Sequence, residues 1–183
     1  IFNKAFSQSD DVELWMMNSN PFLTEEETKA WQRKYIDTPL GSKVRFIPRV
    51  QTQQEVYNIM CNVDCGIFPS RAEGWNLELL EMMSCGKHVI TTNYSAHTEF
   101  CDKENSLLVN IKDLEKAEDG KWFHGQGKWA KIDTDEINQF VEHMQKVHAD
   151  KQNKKLSINE AGISTSHKFT WSKTCAEILS NVR

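Results

Sequence analysis

Apolar residues along the chain fall into short runs, and these runs alternate with segments whose apolar positions recur with a helical period. The runs in "DCGIFPS" (64–70) and "HVITTN" (88–93) are almost continuously apolar, as in strands that are buried on both faces. Strands that alternate with helices indicate βαβ units and therefore a parallel sheet. We predict an α/β fold, a Rossmann-like doubly wound parallel sheet with helices on both faces. The predicted strands are 11–17, 43–48, 64–70, 88–93 and 106–111.

The helical segments carry start and stop signals. Two of them begin with the Thr-x-x-Glu pattern of a capping box, at Thr24 and at Thr52. A third is entered from Trp75 and stops at Gly86, since glycine commonly follows the last residue of a helix. The predicted helices are 24–36, 52–63, 75–86, 133–150, 153–169 and 170–182.

One region lacks any regular period. Residues 112–129 are polar and punctuated by glycine, so we expect a surface excursion rather than a core element. We predict a single domain over 1–183, with a polar insertion at 112–132 and a C-terminal helical segment at 133–183. Because the chain starts with Ile1 and "IFNKAF" looks like the end of a helix, we expect a fragment whose N-terminal part is missing.

Composition and charge narrow the possible partners. The net charge of -4 gives no reason to expect binding to nucleic acid or to an anionic membrane. No apolar run approaches the roughly 20 residues that span a bilayer. The five cysteines are odd in number and form no Cys-x-x-Cys pair, which predicts free, buried thiols in a reducing compartment. We predict no structural metal, because no cysteine pair stands near histidines at a ligand spacing.

The segment "EGWNLELLEMMSCG" (73–86) carries three glutamates among leucines and methionines. A helix turns by about 100° per residue, so with Leu80 at the centre of the inner face, Glu78 falls nearly opposite and is a solvated charge. Glu81 falls at the margin, where a carboxylate needs a partner or a function. The other residues predicted on the inner face are Leu77, Leu79 and Met83.

Glu73 precedes this helix, near the end where free backbone N–H groups and the positive end of the helix dipole favour an anion such as phosphate. Glu81, one to two turns further in, could accept hydrogen bonds from hydroxyls of the same ligand. A nucleotide fits this pattern, and a nucleotide-sugar fits it with Glu73 left for the sugar. The residues alone leave a structural alternative open, in which Glu81 forms an ion pair with Lys87 or Arg71.

The segment "PSRAEGWNLELLEMMSCGKHVITTNYSAHTEF" (69–100) resembles the donor-binding segment of GT-B-fold retaining glycosyltransferases, family 4, also described as glycosyl transferases group 1. The two glutamates of that family's motif correspond to Glu73 and Glu81. The segment "FTWSKTCAEI" (169–178) is similar to the start of the family's C-terminal helix, so the resemblance covers roughly 12–182. It implies the donor half of an enzyme that transfers a sugar from a nucleotide-sugar to an acceptor with retention of configuration, in glycan biosynthesis.

The resemblance also implies roles for individual residues. Glu81 would accept hydrogen bonds from the ribose of the donor, and Glu73, as the catalytic residue, would face the transferred sugar. Donor-binding residues are expected at the start of the helix, against the base and near the pocket. They are Gly74, Trp75, Asn76, Leu77, Arg49, Val50, Ser70, His97 and Glu99. The implied enzyme needs neither a cofactor nor a metal, and the donor is its substrate.

The chain departs from the family pattern at several positions. Asn76 replaces a frequent glycine, which narrows the approach of backbone to ligand, and "MMNSNPF" (16–22) replaces a glycine-containing turn. The family's Arg and Lys, which neutralise the diphosphate as it leaves, and its N-terminal acceptor domain are absent. We therefore expect this chain to bind a donor weakly and to be inactive alone. The missing domain or a partner subunit would be required, and the location is expected to be cytoplasmic, with possible peripheral membrane contact through the acceptor.

Other readings of the two carboxylates stay open. A glycoside hydrolase also uses a carboxylate pair, an epimerase or phosphorylase can share the GT-B fold, and the chain could be a non-catalytic subunit of a heteromeric transferase. For the tryptophans too, the sequence allows two roles, a place in the core or contact with a ligand. Trp15, Trp31 and Trp171 fall in core patterns, whereas Trp122 and Trp129 could contact an acceptor or a partner.

Overall fold

The computed structural model describes residues 1–17 and 20–182. Residues 18–19, within the segment "MMNSNPF", lie outside this description. Five short strands pair in parallel, two in one group and three in a second group, which confirms the predicted α/β class. The first group is β1 (Leu14–Met16) with β2 (Val44–Phe46), and the second is β3 (Cys65–Phe68), β4 (His88–Asn93) and β5 (Leu107–Asn110) in that spatial order.

The helices begin where the capping patterns indicate. The side chains of Thr24 and Thr52 each accept a hydrogen bond from the backbone N–H three residues on. The glutamate at that position accepts one from the backbone N–H of the threonine, which completes each capping box. Asp133 forms a third capping box with Glu136. The helices are α1 (Phe2–Ala5), α2 (Glu25–Ile36), α3 (Gln53–Cys61), α4 (Leu77–Ser84), α5 (Thr134–Gln152), α6 (Glu160–Ser166) and α7 (Trp171–Asn181).

Two apolar clusters lie on opposite faces of the three-stranded sheet. Ile90 of β4 belongs to one cluster and the adjacent Val89 to the other. Successive side chains of a strand point to opposite faces, so the two clusters lie on opposite sides of the sheet. Phe140 and Met144 of α5 cover the face of Ile90. The residues of α4 that cover the opposite face are Leu79, Leu80, Met82 and Met83. The sheet is therefore covered by helices on both sides, as predicted.

The region 112–129 contains an element that the sequence analysis did not predict. Strands β6 (Leu114–Glu118) and β7 (His124–Ala130) form an antiparallel hairpin. The turn is built on Asp119, whose carboxylate accepts three backbone N–H bonds from residues 121–123, and these bonds lower its pKa to about 2. The sequence does carry a signal for this turn, the pair Asp119-Gly120, in which Gly120 adopts a φ of 74°.

The predicted helix over 153–169 is only partly present. Residues 155–159 are irregular, and α6 begins at Glu160 because the Asn159 side chain caps it through a bond from the N–H of Gly162 (2.9 Å). The Asn159 amide group also donates to the backbone oxygens of Lys87 and Asn105. These bonds tie α6 to the segment that follows α4.

Several exposures differ from expectation. Trp171, predicted in the core, is 81% exposed, and Leu77, predicted on the inner face of α4, is 55% exposed. Cys175 is also exposed, although all five cysteines are free as predicted. Trp171 and Cys175 both belong to α7, which carries no buried residue. No helix among the described residues is long and apolar enough to cross a membrane.

Candidate functional site

The loop between β3 and α4 carries Glu73 at the carboxyl end of a parallel strand, where α/β folds bind ligands. The hydroxyl of Ser70 donates to the carboxylate of Glu73 (2.6 Å). The backbone of Glu73 is held by Ser95, whose hydroxyl accepts from the N–H of Glu73 (2.7 Å) and donates to its carbonyl (2.9 Å). Thr92 of β4 donates its hydroxyl proton to the carbonyl of Ser70 (2.7 Å). Glu73 is therefore fixed to the end of β4 and to the short helical turn Ser95–Glu99.

Asn76 sets the start of α4. Its backbone is left-handed, with φ 73° and ψ 75°, and its side-chain oxygen accepts from the N–H of Leu79 (3.1 Å). The left-handed region suits glycine and asparagine better than other residues, so the asparagine meets the requirement that a glycine would meet. Helix α4 thus begins at Leu77 rather than at Trp75. Within the described residues, the N–H groups of Trp75, Asn76 and Leu77 have no hydrogen-bond partner.

His97 lies beneath this helix start and is 1% exposed. The amide group of Asn76 donates to Nε2 of His97 (3.0 Å), because the amide oxygen is already used by Leu79. On the other side, Nδ1 of His97 lies 3.0 Å from the carbonyl of Thr92, which can only accept. This network assigns a neutral imidazole with its proton on Nδ1. The hydroxyl of Thr91 lies 2.8 Å from the same nitrogen.

Burial is the largest influence on the titration of His97 and lowers its pKa from the ordinary value. The bond to the Thr92 carbonyl and the negative charge of Glu73 act in the opposite direction. The neutral form agrees with the hydrogen bonds, since a protonated Nε2 could not accept from Asn76. His97 therefore supports the loop and the helix start from below, and a ligand at the surface would not touch it.

Glu81 is half-buried and has no ion pair or side-chain hydrogen bond among the described residues. The two cations considered as its partners bind elsewhere. Lys87 donates to the carbonyl of Cys61 (2.7 Å), and Arg71 forms an ion pair with Glu115. Burial, and then the charge of Glu78, raise the pKa of Glu81. The structure thus shows an unpaired carboxylate in the fourth position after the helix start, while Glu78 is exposed as predicted.

The ring of Trp75 packs against two other aromatic rings. They are those of Phe100 (5.1 Å between centroids) and Phe169 (5.2 Å), the second of which precedes α7. The side chain therefore anchors the chain two residues before α4, and the unpaired backbone N–H of Trp75 remains for a ligand.

The other predicted donor-binding residues lie in separate parts of the fold. Gly74 is exposed, and a Cβ built there would meet nothing within 4 Å, so the loop leaves open space at this point. Arg49 is exposed and Val50 half-buried in the irregular segment after β2, and Glu99 is exposed at the end of its helical turn. Hydrogen bonds in the described residues join Ser70, Glu73, Asn76 and His97 into one group through Thr92 and Ser95, but no side-chain hydrogen bond among those residues joins Arg49, Val50 or Glu99 to it.

The sequence analysis missed three residues that build this site through their hydroxyl groups, because no periodic or spacing signal distinguishes such residues in a sequence. They are Thr91, Thr92 and Ser95. Arg71 was considered only as a partner of Glu81, whereas the structure pairs it with Glu115 of the hairpin. Among the described residues, no group of three His, Cys, Asp or Glu side chains is arranged to hold a metal ion.

Solved structures that are similar to this chain include two proteins. The first is HepE from Anabaena in complex with UDP-glucose, with a TM-score of 0.68 and 16% identity, matched over 99% of this chain and 43% of HepE. The second is sucrose-phosphate synthase from Thermosynechococcus elongatus, with a TM-score of 0.68 and 18% identity, over 98% of this chain and 40% of the synthase. HepE in complex with UDP matches with a TM-score of 0.63 and 17% identity, over 93% of this chain and 41% of HepE.

These similarities show the fold, which is one half of a GT-B architecture, and this chain spans less than half the length of those proteins. A search of curated proteins found no match. The family profile described as Glycosyl transferases group 1 matches residues 2–119, which is most of the chain and includes both glutamates of the motif. This chain therefore belongs to the Glycosyl transferases group 1 family.

Proposed function

We propose that this chain is the donor-binding half of a retaining glycosyltransferase and that it binds a nucleotide-sugar at the start of α4. The observation that carries the proposal is the unpaired, half-buried carboxylate of Glu81 behind a helix start whose N–H groups lack partners. The carboxylate is partly removed from water, which raises its pKa, and ligand hydroxyls would supply the hydrogen bonds that it lacks within the described residues.

The spacing supports one ligand that reaches both features. Glu81 is four residues after Leu77, which places it about 6 Å further along the helix axis. A diphosphate at the free N–H groups would sit at the positive end of the helix dipole, and the attached ribose could then reach Glu81. Glu73, in the loop that leads into this helix, would face the sugar. The solved structure of HepE contains UDP-glucose, which makes that compound a suitable first probe.

The same geometry supports the proposal that this chain transfers no sugar by itself. The leaving diphosphate needs positive charge, and the two cations nearest to the motif in sequence are engaged. Arg71 is paired with Glu115, and Lys87 donates to the carbonyl of Cys61. Neither could bind the diphosphate without giving up its present partner, so we propose that the charge comes from another domain or subunit and that the transfer reaction occurs in a cleft between the two. No residue of this half is proposed as a nucleophile.

Calorimetric titration tests the proposal. UDP, GDP and ADP are titrated into the chain, into Glu81→Ala and into Glu78→Ala, which removes an exposed carboxylate from the same helix as a matched control. We expect one nucleotide to bind, Glu81→Ala to weaken its binding by at least about tenfold, as for a lost hydrogen bond to a charged group, and Glu78→Ala to leave it unchanged. Added EDTA should have no effect, since no metal is proposed. Absence of binding by all three nucleotides, or equal affinity of the Glu81→Ala variant, would refute the proposal.

A further inference from the structure

The hairpin β6–β7 lies directly against the loop that carries Glu73. The backbone N–H of Ala130, at the end of β7, donates to the carbonyl of Arg71 (2.8 Å). The Nε–H of Arg71 donates in turn to the carbonyl of Ala130 (3.4 Å). A second contact reaches the segment on the other side of the loop, where the hydroxyl of Tyr94 donates to the carbonyl of Lys128 (3.4 Å). The hairpin thus touches the chain just before Glu73 and just before Ser95, which holds the Glu73 backbone.

Two side chains of the hairpin bind the side chain of Arg71, which stays partly exposed to solvent. Its guanidinium forms an ion pair with Glu115 of β6 and lies 4.4 Å from the ring centre of Trp129 of β7. The indole N–H of Trp129 donates to the carboxylate of Glu115 (3.2 Å), so the two residues that bind the arginine also bind each other. A planar guanidinium can stack on a ring and form an ion pair at its edge at the same time, which lysine cannot do.

We propose that this hairpin is a buttress that sets the position of Glu73, and that Arg71 is the positioning residue through which it acts. The contacts at Ser70 and Ser95 hold the loop only towards β4 and the helical turn that follows it. The contacts of Arg71 hold it from the side of the hairpin, two residues before Glu73. The part that concerns the sugar rests on the proposed function, since it requires that Glu73 faces the transferred sugar.

The buttress acts on one end of the proposed donor. Glu73 is two residues from Arg71, whereas Glu81 lies within α4 and is held by the apolar cluster beneath that helix. Loss of the buttress should therefore weaken contacts to the sugar and leave contacts to the ribose in place. The ion pair with Glu115 also removes Arg71 from the set of cations that could neutralise the diphosphate.

Amide hydrogen exchange tests the buttress without any ligand. The measured quantity is the exchange rate of the Glu73 N–H, which donates to Ser95, in the unaltered chain and in Arg71→Ala, Arg71→Lys and Lys131→Ala. Lys131→Ala is the matched control, because it removes another ion pair of the hairpin region, with Asp133, that does not touch the loop. We expect about a five- to tenfold acceleration in Arg71→Ala, a smaller one in Arg71→Lys, and none in Lys131→Ala.

Two outcomes would overturn the buttress. One is an unchanged Glu73 rate in Arg71→Ala, and the other is an equal acceleration at all amides, which would mean that Arg71 supports the fold as a whole. A second readout compares the affinities of UDP and UDP-glucose. In Arg71→Ala we expect the affinity for UDP to stay the same and the additional affinity for UDP-glucose to fall severalfold. If the unaltered chain binds neither compound, the donor proposal fails, while the exchange rates still decide whether the hairpin positions Glu73.

Discussion

Replacement of Asn76 tests the hydrogen-bond network under the candidate site. This residue adopts a left-handed conformation with φ 73°, caps α4 by accepting from the N–H of Leu79, and donates to Nε2 of the buried His97. Alanine loses all three properties, glycine recovers only the conformation, and aspartate keeps the conformation and the cap but cannot donate. The series Asn76→Ala, Asn76→Gly and Asn76→Asp therefore separates the contributions.

The expected cost of each variant follows from these contacts. For Asn76→Ala, the lost cap costs about 1 kcal/mol, the left-handed backbone about 1 kcal/mol, and the unpaired nitrogen of His97 at least about 1 kcal/mol, which gives about 3 kcal/mol in the free energy of unfolding. For Asn76→Gly, the strain is absent and the loss of the cap costs only a few tenths, which leaves about 1.5 kcal/mol. In a chain of this size, 1 kcal/mol corresponds to roughly 3 °C in Tm, so we expect decreases of about 9 °C and 4–5 °C.

The assay is urea unfolding and thermal unfolding at pH 7, followed by a pH series for the aspartate variant. In Asn76→Asp the carboxylate faces Nε2 of His97, so it favours the protonated imidazole and should raise the pKa of His97. This variant should consequently gain stability relative to the unaltered chain as the pH falls from 7 towards 5.5. Equal costs for alanine and glycine would refute the role of the left-handed backbone. An identical pH profile for aspartate and asparagine would refute the assignment of the His97 proton.

Three further predictions concern pH, the end of α4 and Glu81. Because the pKa of His97 is lowered in the folded state, the unfolded chain binds the proton more readily, and the free energy of unfolding should fall as the pH drops below about 6.5. In urea unfolding experiments, His97→Gln should reduce that fall. Gly86→Ala should lower the free energy of unfolding by more than 1 kcal/mol, since Gly86 has a φ of 68° and an added Cβ would lie 2.8 Å from Ile158; a loss below about 0.5 kcal/mol in thermal unfolding would contradict this reasoning. Because the pKa of Glu81 is raised in the folded state, its ionisation destabilises the fold at neutral pH. We therefore expect Glu81→Gln to be at least as stable as the unaltered chain at pH 7, and the difference to vanish as the pH falls to the ordinary pKa range of glutamate. A less stable variant at pH 7 would show that Glu81 has a partner in the fold.

The local elements could be predicted from the sequence because their signals lie within a few residues. The capping boxes at Thr24 and Thr52 form as their patterns indicate, and the strand over 88–93 begins and ends where predicted. Gly86 ends α4 in a Schellman motif, with bonds from Gly86 to Met83 and from the next residue to Met82. In each case a hydrogen bond or a backbone conformation is satisfied by neighbours in sequence.

The predictions that the structure contradicts failed for a different reason. Trp171 and Leu77 stand in apolar patterns but are exposed, because a pattern reports only that a face is apolar and not that another element covers it. The hairpin β6–β7 was missed because its strands are polar and pair mainly with each other. Helix α6 is shorter than its pattern, since Asn159 binds distant backbone oxygens and caps the helix late.

The sequence by itself determined the α/β class, the order of the parallel strands and the helices between them, the ends of most helices and the positions of the two glutamates of the family motif. Only the tertiary structure decided the surroundings of those glutamates. In the folded chain Arg71 pairs with Glu115 and Lys87 binds the carbonyl of Cys61, so that neither pairs with Glu81. Folding also buries His97 beneath Asn76 and brings the hairpin against the Glu73 loop. Capping and strand formation depend on residues a few positions apart, whereas the charge and burial of a side chain depend on segments that meet only when the whole chain has folded.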